Sequence, residues 1–329
     1  MTSNGVTAPS VWDDPTWRRA TPLGALERAL LERPELRRLA GLHHHGAAGR
    51  VLGWSATRWE HTLGVWTLVT AVRPDDATLR LAALLHDVGH APYSHALEPL
   101  GGIDHHAAFS DALERGALGA WLRARGVDTA RIAALVDGSE PSPLRNREGL
   151  LHADHLDSFV RGAARRGRVT LDAPAVLAAL RLDGPHLAFE PRHADDLAAA
   201  IVDEASFHLS PVDVGADAWL GELVRRAFAL GTLHPAELNA LDDAGLDHRL
   251  GAHEATRATF DAVIAGRQRF VAASADADAR WQVTKRAAYL PRPLLAGPAA
   301  SDWEQRWADM LAPLSDARVV RVALTPAPC

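Results

Sequence analysis

A chain of 329 residues, 47% hydrophobic and 23% charged, is long enough for a large buried core and has the composition of a globular protein. No run approaches the roughly 20 apolar residues of a membrane-spanning helix, and Met1–Gly5 carries no charged-then-apolar signal pattern, so a cytoplasmic protein is expected. A formal net charge of −6 argues against a general nucleic-acid or anionic-membrane binder, and the single cysteine, Cys329, leaves only oxygen and nitrogen to hold a metal within one chain.

Helical periodicity dominates from the start. Leu23, Leu26, Leu30, Leu36, Leu39 and Leu42 recur at three- and four-residue steps and are interrupted at Pro34, which predicts two short helices. Arg58–Val72 reads as a helix closed by Pro74, and Ala77–His86 is apolar nearly all round, as in a helix at the centre of a helical domain. Further helices are predicted over His106–Ala124, Thr129–Val136, Leu150–Arg166, Pro174–Leu182, Ala194–Glu204, Ala216–Leu230, Pro235–Ala244 and Ala252–Ala272. Strand patterns are few: Arg168–Leu171, a partner in His186–Glu190, and the alternating tail Arg318–Leu324. The fold class is therefore mainly α. Leu290–Ala300, rich in Pro and Gly, reads as a linker to a small C-terminal piece.

The chemistry-bearing residues fall on three of these helices. His86-Asp87 ends the apolar helix, where a carboxylate needs a partner or a metal. His61 precedes it on another helix, with Arg58 about one turn earlier on the same side, and Asp154 and Asp157 follow on a third. Imidazole and carboxylate ligands with open coordination positions suit Mn²⁺, Fe²⁺, Mg²⁺, Ni²⁺ or Zn²⁺. Such a metal polarises a phosphoryl oxygen and lowers the pKa of bound water, while a histidine from among His90, His95, His105 and His106 supplies the proton a leaving oxygen needs. Arg58 suits a phosphate because its planar fork makes paired hydrogen bonds. Arg161, Arg165, Arg166 and Arg168 are explained by the dipole at a helix C-terminus, and Arg161 is the best placed of them for a phosphate. His43-His44-His45 reads as a solvated loop, and Asp157 as a residue supporting a ligand.

Arg58-x-x-His61, His86-Asp87-Val88-Gly89-His90-Ala91-Pro92-Tyr93-Ser94-His95 and Asp154-x-x-Asp157 together resemble the HD-domain phosphohydrolases, and within them the deoxynucleoside triphosphate triphosphohydrolase branch. The resemblance runs with clear motifs over roughly Asp14–Arg166 and more faintly to Phe270. It implies an HD-type helical bundle over residues 10–212, with 213–329 as a mainly helical extension packed on it and ending in a short strand. It also implies His61, His86, Asp87 and Asp154 as metal ligands, and His90 and His105 as the acid/base pair with Glu98 orienting one of them. Arg58, His95, Arg161 and His43 become substrate contacts, the last near the sugar. The implied reaction releases deoxynucleoside and triphosphate. Its rivals are a nucleotidase or phosphodiesterase acting on another phosphate ester, and a nucleotide-sensing or nucleic-acid-binding regulator that has lost turnover. A homo-oligomer is also implied. The sequence departs from the family where Ser158 replaces a tyrosine and Gly162 an aspartate, both residues that hold the nucleotide.

Overall fold

The structure, a computed structural model, describes residues 9–274, 278–297 and 301–327, so Met1–Gly5 and Cys329 lie outside the described residues. An antiparallel hairpin of β1 (Val11–Asp14) and β2 (Arg19–Pro22), without a counterpart in the sequence reading, precedes α1 (Ala25–Leu31), α2 (Pro34–Arg37), α3 (Gly46–Val51), α4 (Arg58–Val72) and α5 (Ala77–Leu85). The start of α4 is fixed by a capping box: Thr57 Oγ1 accepts the Glu60 amide, and the Glu60 carboxylate accepts the Thr57 amide at 2.9 Å. Asp76 caps α5 by accepting the Leu79 amide at 2.9 Å. The short connection makes α4 and α5 an antiparallel pair, with the first turn of α4 beside the end of α5.

The helix expected over 106–124 is two, α6 (His105–Glu114) and α7 (Ala117–Arg123), separated where Gly116 caps the second. They are followed by α8 (Thr129–Asp137), α9 (Ala153–Arg166) and α10 (Ala173–Ala179). Residues 168–171 form no strand; β4 (His186–Ala188) pairs instead with β3 (Arg181–Asp183). Between them the two-residue turn is Gly184-Pro185, and Gly184 takes its left-handed φ of 57°, which glycine adopts without a Cβ penalty.

Beyond α11 (Ala194–Phe207), α12 (Pro211–Ala229), α13 (Asp243–Ala252) and α14 (Glu254–Ile264), the end of the long helix expected over 252–272 becomes β5 (Gln268–Ala272). It joins a three-stranded antiparallel sheet with β6 (Trp281–Lys285) and, after α15 (Trp303–Leu311), β7 (Arg318–Pro326). The terminal strand, expected to be short, is 9 residues long and lies at the centre of the order β5-β7-β6.

Two apolar clusters hold the elements together. The larger joins Trp17, Leu63, Trp66, Leu84 and Phe159, and Trp303 and Trp307 of α15 pack into it. The other gathers Trp219, Phe260, Phe270 and Val322 with Ala47, Tyr93 and Leu97 from the N-terminal half. Residues 213–329 thus contribute to both clusters, and a boundary at 212/213 falls in the first turn of α12. Of the stretch expected to be a linker, residues 290–297 are tied down, and 298–300 lie outside the described residues. Leu151 donates its amide to the Arg292 carbonyl at 2.9 Å, Arg292 donates to Gly149 at 2.8 Å, and Ala296 donates to Phe189 at 2.8 Å. Residues 290–297 are a strap across the loop that leads into α9. Among the described residues, no helix is long and apolar enough to cross a membrane.

Candidate metal centre

Three helix ends meet at one point. His61 lies in the first turn of α4, His86 caps α5 with Asp87 after it, and Asp154 sits in the first turn of α9, where the helix dipole favours a carboxylate. His61 Nε2 is 3.3 Å from His86 Nε2 and 3.3 Å from Asp154 Oδ1, and His86 Nε2 is 3.8 Å from that same oxygen. Asp87 Oδ2 lies 3.9 Å from His61 Nε2, buried and without a hydrogen-bond partner. A buried carboxylate oxygen with no donor is costly unless a cation meets it; His61, His86 and Asp154 offer ligand atoms within 4.8 Å of one another, as do His44, His61 and Asp87, and these two sets, joined at His61, fit a divalent metal.

Both imidazoles are oriented for the task. His61 donates from Nδ1 to Asp157 Oδ2 at 2.8 Å, and His86 donates from Nδ1 to the Ala83 carbonyl at 2.8 Å, so each turns Nε2 toward the centre. Burial disfavours a charged His61, but hydrogen bonds to Asp154 and Asp157, with Asp87 nearby, outweigh it and hold the group at about 9. The cluster therefore demands positive charge, and a cation that takes the place of this proton binds more weakly as pH falls.

Asp157 is itself held firmly. It accepts from Trp17 Nε1 at 2.6 Å and Arg161 Nε at 2.7 Å, and Arg161 donates further to Asp14 at 2.8 Å and Thr16 at 2.9 Å. This corrects the expectation for Arg161: its guanidinium is buried behind His61 with all three nitrogens engaged, and it does not face a substrate. Asp157→Ala is expected to weaken metal binding by about 10- to 100-fold, because His61 loses its orienting acceptor. Calorimetric titration with Mn²⁺ or Zn²⁺ measures this, and unchanged affinity would contradict the role.

Arg58 is buried at the rim, donating from Nη1 to Asp87 Oδ1 at 2.7 Å and from Nε to Ser94 Oγ at 2.7 Å. Ser94 and Tyr93 adopt left-handed φ values of 60° and 58°, a strained pair that presents the Ser94 hydroxyl to Arg58. Next to Arg58 lies a histidine cluster. His90 donates from Nε2 to Asp87 Oδ1 at 3.2 Å and stacks on His105 with centroids 4.3 Å apart and planes at 10°. Glu98 accepts from His105 Nδ1 at 2.5 Å and from His95 Nδ1 at 3.0 Å. Burial alone would raise the Glu98 carboxyl, but these two hydrogen bonds hold it well below the usual carboxylate range. Burial, with Arg58 nearby, keeps His90 neutral.

The sequence match falls on this assembly: residues 58–161 match the HD domain. The chain contains an HD domain. Relatives include the uncharacterised protein YdhJ of Bacillus subtilis, 30% identical over 155 residues that cover 45% of this chain and 46% of that protein. Another is the metal-dependent phosphohydrolase cns2 of Cordyceps militaris, 34% identical over 170 residues, 46% of this chain and 45% of the relative. The chain spans about half the length of these relatives. Among solved structures, a hypothetical protein from Aquifex aeolicus superposes with a TM-score of 0.72 at 16% identity, covering 96% of both chains. A phosphohydrolase from Bacteroides thetaiotaomicron does so with 0.63 at 16% identity, covering 92% of this chain and 85% of that one.

The HD domain's surroundings differ from expectation in several places. His43, His44 and His45 do not form a solvated loop. His43, which the resemblance sets near the sugar, is tied to Asp243 by its Nδ1 at 2.6 Å. His44 stacks on His61 at 4.2 Å and hydrogen-bonds Ser158 Oγ at 3.0 Å, so the residue standing where the resemblance places a tyrosine packs against the metal centre. His45 is buried against Trp54 and Phe207, and burial pulls it down to about 4. Gly162 leaves space for an ion pair: a Cβ there would lie 2.3 Å from Glu204 Oε2, which Arg166 holds at 2.5 Å.

Sequence reasoning passed over His155, Arg145, His208 and Tyr289 at this rim. Arg145 lies 3.6 Å from Asp154 Oδ2, and His208 bridges Glu204 and Asp213 at 3.2 Å each. Burial lowers His208, but Asp213 and Glu204 outweigh it and hold the group at about 10. Its folded-state value lies above the ordinary 6.5, so this stabilisation is complete below about pH 6.5 and is lost as pH rises through about 10. His208→Gln is expected to cost about 2 kcal/mol at pH 6. Urea melts across pH should show the deficit shrinking toward pH 10, and a constant deficit would contradict the ion pairs.

Proposed function

We propose that this protein is a metal-dependent phosphohydrolase whose substrate is a deoxynucleoside triphosphate, cleaved to deoxynucleoside and triphosphate. The observation that carries the reading is the buried, unpartnered Asp87 Oδ2 near two imidazoles whose Nε2 atoms are turned toward the centre, beside a second set of stacked histidines. The likeness to the Cordyceps militaris metal-dependent phosphohydrolase supports the phosphohydrolase class.

A divalent cation held by His61, His86, Asp87 and Asp154 supplies Lewis acidity toward a phosphoryl oxygen and a water of lowered pKa. The chain's own groups do the rest. Arg58, fixed by Asp87 and Ser94, offsets charge developing on the phosphate, and the rigid mounting means that little reorganisation accompanies reaction. His105, oriented by Glu98, stacks on His90, and this pair holds a proton for the departing sugar oxygen. His95 shares Glu98 and is exposed, which suits contact with the outer phosphates.

Purified protein supplied with each divalent metal in turn is tested on deoxynucleotides, ribonucleotides and simple phosphate esters in ¹⁸O-water. Attack at the α-phosphorus places the label in triphosphate, whereas stepwise γ-phosphate removal places it in orthophosphate. A second reading, hydrolysis of a nucleoside monophosphate or a phosphodiester, is favoured by Ser158, which bonds His44 instead of presenting a phenol. Turnover of such an ester with no deoxynucleoside triphosphate consumed would replace the first reading. Nucleotide binding that raises the melting temperature without any turnover would favour a sensor.

A further inference from the structure

Tyr289 belongs to the segment after β6, outside residues 58–161, yet its ring reaches the rim of the metal centre. Its φ is 60°, a left-handed conformation that a bulky residue adopts only where its surroundings impose it. The strap imposes it: three residues on, Arg292 is bonded in both directions to Gly149 and Leu151, just ahead of the helix that carries Asp154. The result is a half-exposed ring, 42% accessible, held among three histidines. His155 lies 5.3 Å away at 70°, His208 at 6.0 Å and 61°, and His95 at 6.4 Å and 39°. The phenol lies in electrostatic range of Glu98, Asp154, Arg58 and Arg145, the groups that surround the centre.

His155 adds the other half of the observation. It follows Asp154 directly, its ring is stacked by His152 at 4.1 Å and 29° and by Phe159 at 5.4 Å and 26°, and its Nδ1 is buried without a hydrogen-bond partner. The half-exposed Tyr289, edged by an imidazole with one unsatisfied ring nitrogen and set beside the proposed phosphate site, matches a planar heteroaromatic group, which stacks on an aromatic side chain and offers polar edge atoms. An aliphatic or purely anionic substituent would use neither feature. We propose that Tyr289, His155 and His208 form an aromatic subsite that receives the nucleobase of the substrate. This rests on the phosphohydrolase reading for its biological use, but binding at the subsite can be measured without turnover.

The test compares two ligands on the intact, metal-loaded protein by calorimetric titration, with conversion followed by chromatography: a deoxynucleoside triphosphate, and inorganic tripolyphosphate, which lacks a ring. Tyr289→Ala is expected to weaken deoxynucleotide binding by about 10- to 100-fold and to leave tripolyphosphate binding and metal content unchanged. Tyr289→Phe should stay within about 3-fold of wild type, since stacking needs the ring and not the hydroxyl. Tyr289→Leu, which keeps bulk under the strap, should behave like the alanine variant, separating loss of stacking from loss of packing. Unchanged deoxynucleotide affinity in Tyr289→Ala, or an equal loss for both ligands, would overturn the proposal. Wild-type protein that hydrolyses other esters and binds no nucleotide would end the subsite and leave the phosphohydrolase reading standing. Tyr289-dependent nucleotide binding without turnover under any metal would do the reverse.

Discussion

Asp87→Asn is expected to lower metal affinity by more than about 100-fold and to remove activity, with the fold retained. Residues that merely orient a metal ligand cost about 10- to 100-fold when lost, so a direct charged ligand should exceed the upper end of that range. Asparagine keeps the shape of the side chain and an oxygen for Arg58 Nη1, which Asp87 Oδ1 accepts at 2.7 Å, but removes the charge and replaces the orphaned oxygen or its partner with an amide. Asp87→Ala is a different experiment. It would also remove the acceptor of Arg58 Nη1 and leave the buried guanidinium with Ser94 alone, which costs about 3–5 kcal/mol, so loss of metal would be confounded with loss of fold. Elemental analysis after reconstitution, with melting curves of the metal-free protein as the control, separates the two. Metal retained at wild-type stoichiometry by Asp87→Asn would remove Asp87 from the ligand set.

What the sequence made legible was the part where residue type and local chemistry agree. The limits of α4 follow from a hydrophobic run, a closing proline and a Thr-x-x-Glu box, and all three act within a few residues of the helix. Convergence of His61, His86, Asp87 and Asp154 was foreseeable because each occupies a helix end and motif spacing places those ends. Features that depend on distant contacts were not legible. β5 has the composition of a helix tail and is a strand because it pairs with β7, more than fifty residues on. The Pro/Gly-rich stretch reads as a linker, since nothing local reveals that its amides and carbonyls bond to Gly149, Leu151 and Phe189. Arg161 looked free for a phosphate because Asp14, its partner across 147 positions, lies on a hairpin with no strong pattern of its own. Tyr289 gave no signal at all: its significance comes from the strap that places it.

His90→Ala is expected to reduce kcat by about 10²–10⁴ and to leave metal affinity within a few-fold of wild type. The structure gives both halves of this expectation. His90 is buried, donates to Asp87 Oδ1 at 3.2 Å and lies flat against His105 at 4.3 Å, which suits the proton relay proposed for the pair and pairs it with the Asp87 oxygen other than the unpartnered Oδ2. Glu98→Gln should have a smaller effect, because the amide oxygen still accepts from His105 Nδ1 and keeps the ring oriented. An alternative chemistry is written into the same side chains: His90, His95, Glu98 and His105 offer ligand atoms within 4.8 Å of one another, a spacing that would hold a second cation. The two roles separate by counting metal. If the histidines move protons, wild type and His90→Ala both bind about one equivalent per chain, and only the rate falls. If they hold a metal, wild type binds two equivalents and His90→Ala binds one, and the lost rate returns as the concentration of added cation rises.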